Sequence, residues 1–145
     1  MPADQPPLVR HRVRAPNSRA RDILVVPLDE SCAALTDALA PETWRSTIFV
    51  GYSRYGEAWR AVLAAREIDI VVTVGAAGHD LSQAIAIGEQ CMHGQTKISG
   101  ILLRAPELTL AQTSAALRSL RPWTHTLAVI PEADYLPGLL HALGA

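Results

Sequence analysis

Ile70-Val71-Val72-Thr73-Val74-Gly75-Ala76-Ala77-Gly78-His79-Asp80-Leu81-Ser82 joins an uninterrupted apolar run to a loop of small residues and then to the start of a helical pattern. A run apolar at every position has no solvated face, which is the signature of a strand buried on both sides of a parallel sheet. The strand is read over Ile68 to Val74 and the loop over Gly75 to Asp80. Its two glycines let the backbone turn tightly, and the following helix offers unpaired N–H groups and the positive end of its dipole. This is the layout of a phosphate cradle.

Working outward, four more apolar strands alternate with helical patterns. Ile23 to Leu28 is read as a buried strand, with Asp29 or Ser31 as the cap of a helix that ends at Leu39, before Pro41. Ser46 to Val50 is a second strand closed by Gly51. Tyr55 to Glu67 places Ala58, Trp59, Val62, Leu63 and Ala65 at helical spacing. Beyond the opening stretch, a helix from Asp80 to His93 ends at Gly94, where a helix terminator belongs. Ile98 to Leu103 is a strand, Thr109 to Leu120 a helix, Leu127 to Ile130 the last strand, and Tyr135 to Leu143 a short final helix. Each connection is long enough for a crossover. The expected fold is therefore a three-layer α/β/α sandwich around a five-stranded, mostly parallel sheet of Rossmann type, with strand order 2-1-3-4-5.

Composition agrees with that architecture. The 145 residues are 49% hydrophobic but only 5% aromatic, enough for one aliphatic core and too little for an aromatic stacking platform. A net charge of −1 argues against nucleic acid as a partner, although the charge is uneven. Residues 1–21 hold Arg10, Arg12, Arg14, Arg19 and Arg21 against Asp4 alone, with Pro2, Pro6, Pro7 and Pro16 and no periodicity. They predict a disordered Arg/Pro-rich leader, and residues 22–145 a single domain. No stretch has the length of a signal-peptide core or a bilayer span, so a cytoplasmic chain without a membrane partner is expected. Cys32 and Cys91 sit among apolar neighbours without a CxxC partner and read as reduced core thiols.

The chemistry of familiar relatives of this fold needs residues that are absent. A Walker loop requires Gly-Lys-Ser or Gly-Lys-Thr after the first strand, and a dinucleotide fold requires GxGxxG there. The chain has the acidic, glycine-free Pro27-Leu28-Asp29-Glu30-Ser31. A phospho-accepting receiver needs an aspartate after the third strand and a lysine after the fifth, where Val74-Gly75 and Pro131-Glu132 stand. Cys91-Met92-His93 has a two-residue offset that cannot present both ligands on one helical face, so no metal site is expected.

From Asp69 to Leu136 the order of features resembles the nucleotide-binding domain of the bacterial cell-division protein FtsZ and its tubulin-like relatives. An acidic residue, an apolar strand, a glycine-rich loop and a helix of small residues run from Asp69 through Gly75-Ala76-Ala77-Gly78 into Ala84-Ile85-Ala86. The next strand ends in Arg104-Ala105-Pro106, and the last in Ile130-Pro131-Glu132-Ala133-Asp134-Tyr135-Leu136, as against the family's Ile-Pro-Asn-Asp-x-Leu. The departures are equally definite. The family's first phosphate loop is replaced by Pro27 to Ser31, a strand and loop before Thr47 are missing, and no segment corresponds to the central helix and water-activating loop. The resemblance thus implies a reduced, noncatalytic module acting in protein interaction or self-association, with at most residual affinity for GTP or GDP.

The candidate anion-binding residues are Gly75, Ala76, Ala77, Gly78 and His79, with Arg54 and Arg104 supplying charge from loops at the same sheet edge. The alternative function for this set is a small enzyme or carrier of a phosphorylated or acidic metabolite in the strand-end crevice. The structural reading of the same residues is plainer. The glycines need only permit a strand-to-helix turn, Asp80 or Ser82 need only cap the helix, and Asp80 can fill an anion position from within. His79 then reads as a solvated loop residue and His125 as a structural one. The three tryptophans, Trp44, Trp59 and Trp123, are expected to cover the outer edges of the helical layers.

Overall fold

The computed structural model describes residues 21–145; of the leader expected over residues 1–21, all but Arg21 lies outside the described residues. Five strands form one wholly parallel sheet in the order β2-β1-β3-β4-β5. They are β1 (Ile23–Pro27), β2 (Thr47–Phe49), β3 (Ile70–Ala76), β4 (Lys97–Leu103) and β5 (Thr126–Ile130). The helices are α1 (Glu30–Leu39), α2 (Glu57–Ala65), α3 (Gln83–Cys91), α4 (Leu110–Leu120) and α5 (Leu136–Ala142). The expected order holds because every strand-to-strand connection carries a helix and every strand pairing is parallel.

Side-chain alternation along the strands builds two cores on one sheet. Leu24, Val26, Val71, Ile98 and Leu102 pack under α2, α3 and α4 with Trp59, Ile87 and Leu120. Ile23, Val25, Val72, Val74 and Ile101 face the other way, under α1 and α5 with Cys32, Leu136 and Leu140. This is the three-layer sandwich. Both thiols are free and buried, Cys32 in one core and Cys91 in the other.

Two expectations are corrected. Strand β3 does not stop at Val74 but continues through Gly75 and Ala76, which pair in register with Leu102 and Leu103. Gly75 lies outside the left-handed region that Gly56, Gly78 and Gly144 occupy. Its lack of a side chain serves packing, since a Cβ there would stand 2.7 Å from Leu81 Cδ2 and 3.0 Å from Leu28 Cδ1. The tryptophans differ as well. Trp59 is 1% exposed, inside the core, where Nε1 donates to Gln83 Oε1 at 3.1 Å. Trp123 packs on Gly88 of α3, whose Cβ would fall 2.6 Å from its ring, and Trp44 stacks half-buried on His141.

Candidate functional site

Strands β1 and β3 are neighbours whose following helices leave on opposite faces, so the crevice beyond their carboxyl ends is the switch point of this fold. Asp29 occupies it. It directly follows Leu28, whose N–H donates to Val74 O at 2.8 Å and ties the end of β1 to β3. The carboxylate is 7% exposed. Oδ1 accepts from the Ser31 hydroxyl and from Cys32 N–H at 2.9 Å, capping α1. Oδ2 accepts from Ala76 N–H at 3.1 Å, at the top of β3.

Burial pushes the Asp29 carboxyl up. The bonds from Ser31, Cys32 and Ala76, with the charge of nearby His79, outweigh it and hold the group below the usual carboxylate value. The group is therefore an ionised carboxylate at neutral pH. Burial, with the Asp29 carboxylate beside it, pushes the Cys32 thiol up to about 12, so Cys32 is no nucleophile.

The candidate loop residues separate into three groups. Ala76 and Ala77 are buried and their N–H groups are taken, by Asp29 and by Leu103 O at 3.0 Å. Gly78 and His79 are exposed. Gly78 turns the chain at φ 89°, where a Cβ would stand 3.0 Å from Leu108 Cδ1, and His79 N–H donates to Ala76 O at 3.2 Å. With Asp80, Gln112, Ala116 and Ser119 they line an open groove of about 470 Å³ between α3 and α4. Arg54 and Arg104 are exposed and are not among its lining residues. The Arg54 guanidinium lies 5.4 Å from the Tyr55 ring centroid, and Arg104 N–H bonds Ile130 O. The β2–α2 loop instead meets α3 through its backbone, with Gln83 Nε2 donating to Ser53 O at 2.7 Å.

Asp80 does not fill the switch point. It is exposed and accepts from Ser82 N–H at 2.9 Å, closing the turn before α3, and those Ser82 bonds hold its carboxyl below the usual value. The group that brings negative charge to the cradle comes from the first strand's loop. The sequence offers Asp29 or Ser31 as the cap, and nothing local signals the reach of Asp29 to Ala76. Reading toward strand ends also passes over the opposite rim, where Arg21, Asp69, Lys97, Ser99 and His125 border a largely apolar cleft of about 410 Å³. There His125 is structural: Nδ1 accepts from Ile98 N–H at 2.9 Å.

Among the described residues no group of three or more His, Cys, Asp or Glu side chains is arranged to hold a metal ion, and no helix is long and apolar enough to cross a membrane. Comparison of the chain with family models, with curated proteins and with solved structures finds no match.

Proposed function

We propose that this chain is a noncatalytic α/β module, FtsZ/tubulin-like in ancestry, that works by assembling with itself or with a protein partner. The observation that carries this reading is the ionised Asp29 carboxylate bound to Ala76 N–H at the switch point. A phosphate approaching that N–H meets a like charge. Two unit charges about 4 Å apart repel by about 4 kcal/mol at an effective dielectric constant of about 20, which corresponds to about a thousandfold in affinity. On this reading, residual affinity for GTP or GDP would fall to the groove beyond Gly78. Calorimetric titration with GTP and GDP, run beside sedimentation, tests the reading. Assembly beyond a monomer without GTP turnover is expected; a strict monomer that hydrolyses GTP overturns it.

The open groove favours a second reading, a carrier or small enzyme for a phosphorylated or acidic metabolite, with the exposed His79 imidazole beside Gln112 and Ser119 as a hydrogen-bonding group. Replacing Gly78 is a poor discriminator, because its positive φ makes any side chain strained. His79→Glu is cleaner. Under the second reading it removes the heat of titration with an acyl phosphate, and under the first it leaves assembly unchanged.

A further inference from the structure

The two edges of the sheet are built differently. Strand β2 is three residues long, a common way of blunting an edge. Strand β5 has five residues, Thr126-Leu127-Ala128-Val129-Ile130, without a charge, a proline or a glycine, and among the described residues no strand pairs with its outer side. Arg104 N–H bonds Ile130 O at 2.9 Å. In a parallel ladder this turns the peptide groups of even-numbered β5 residues toward β4 and leaves the N–H and C=O of Leu127 and Val129 on the open edge. Val129 is 42% exposed and Tyr135, just beyond the strand, 57% exposed.

We propose that a second copy of this chain docks on the β5 edge, antiparallel to it, about a two-fold axis through Ala128. The proposal rests on the assembly reading above and names its surface. The edge is self-complementary in this register. Leu127 faces Val129 of the other copy and exchanges both backbone hydrogen bonds with it, about four bonds in all, and Ala128 meets Ala128. Every cross-strand pair within the strand is uncharged. At the flanks, Glu132 of one copy comes beside Thr124 and His125 of the other, a carboxylate next to an imidazole. His125 Nδ1 already accepts from Ile98 N–H, so its Nε2 carries the proton and is the donor for that carboxylate. A strand pair alone falls short of the roughly 1,000 Å² of a stable interface. The shallow groove of about 430 Å³ lined by Ile130, Tyr135, Gly138, Leu139 and Ala142 extends the surface along α5, and nothing lies within 4 Å of where a Gly138 Cβ would be.

The full chain is expected to sediment as a dimer at micromolar concentration. Ala128→Cys should form an intermolecular disulfide on mild oxidation, since paired residues at a non-hydrogen-bonded site have Cα atoms about 4.5 Å apart. Val129→Pro removes an outward N–H without touching the β4 ladder. It should cost two hydrogen bonds per dimer, about a hundredfold in Kd, with an unchanged circular dichroism spectrum. Val129→Lys, at an exposed position, makes the same test should the proline variant fail to fold. A monomeric wild-type chain overturns the proposal. So does a dimer indifferent to both Val129 substitutions, but that result leaves the assembly reading standing and moves the contact elsewhere. GTP hydrolysis by a monomer removes the assembly reading itself.

Discussion

Asp29 delivers to Ala76 N–H the negative charge that a bound anion would otherwise bring, and in doing so it also holds the start of α1. That a cap stands here was legible in the sequence because capping is local, but the sequence left it open between Asp29 and Ser31, and the structure assigns it to Asp29, with the Ser31 hydroxyl donating to it. Its second bond spans 47 residues and depends on β1 and β3 ending side by side, which no local pattern encodes. Replacing Asp29 with Ala removes the cap and leaves a buried N–H without an acceptor, a loss of about 2–4 kcal/mol. Asp29→Asn keeps the shape and one acceptor and should lose about half as much. The carboxyl is held below its unfolded value of 3.8, so the unfolded chain binds the proton more readily. The stability it contributes is present above that value and disappears as pH falls through the lower, folded one. Urea denaturation followed from about pH 7 to pH 3 should show a steeper acid loss in the wild type than in Asp29→Asn. Parallel curves would rule out Asp29 as the titrating group.

At the scale of elements, the sequence pattern located the five strands and the five α-helices of the described residues but misjudged how they end and meet, and it passed over the short 3-10 turns at Arg121–Trp123 and Ala133–Tyr135. Gly75 reads as a breaker, yet β3 continues through it because β4 still offers Leu102 and Leu103 as partners. Trp59 reads as the apolar face of an amphipathic helix, and it lies fully inside because Gly56 makes room for it. That room ties α2 to α3: the indole donates to Gln83, which in turn donates to Ser53 O in the loop before α2. The candidate site inherits this brace, since α3 begins directly after Gly78 to Ser82. Gly56→Ala combines a φ of 77° with a Cβ 2.6 Å from Trp59 Nε1, and no flexible chain end is there to yield. A loss of about 2–3 kcal/mol is expected, with a shift in tryptophan emission as the ring leaves Gln83. Gly51→Ala, with nothing within 4 Å of its Cβ, is the control. Equal melting temperatures for the two variants would show that the close approach carries no energy.

For the whole molecule, the alternation of five strands with helices leaves few topologies once crossovers are right-handed, which is why strand order could be read from sequence. Exposure of an edge is a property of the assembled sheet, so β5 gave no comparable signal. The shared sheet also couples the two cores. Strand β1 gives Ile23 and Val25 to one and Leu24 and Val26 to the other, so displacing that strand disrupts both cores at once. Cys32 and Cys91 report on the two sides independently. Burial raises both thiols above their ordinary value, Cys32 to about 12 with Asp29 adding to the effect, so each is inert until its layer opens. If the domain opens as one cooperative unit, a thiol reagent followed by mass spectrometry should modify both cysteines at one common rate. That rate should rise equally with denaturant at the two positions. Modification of Cys91 well ahead of Cys32 would instead mean that the α2–α3–α4 layer detaches alone, and with it the groove between α3 and α4.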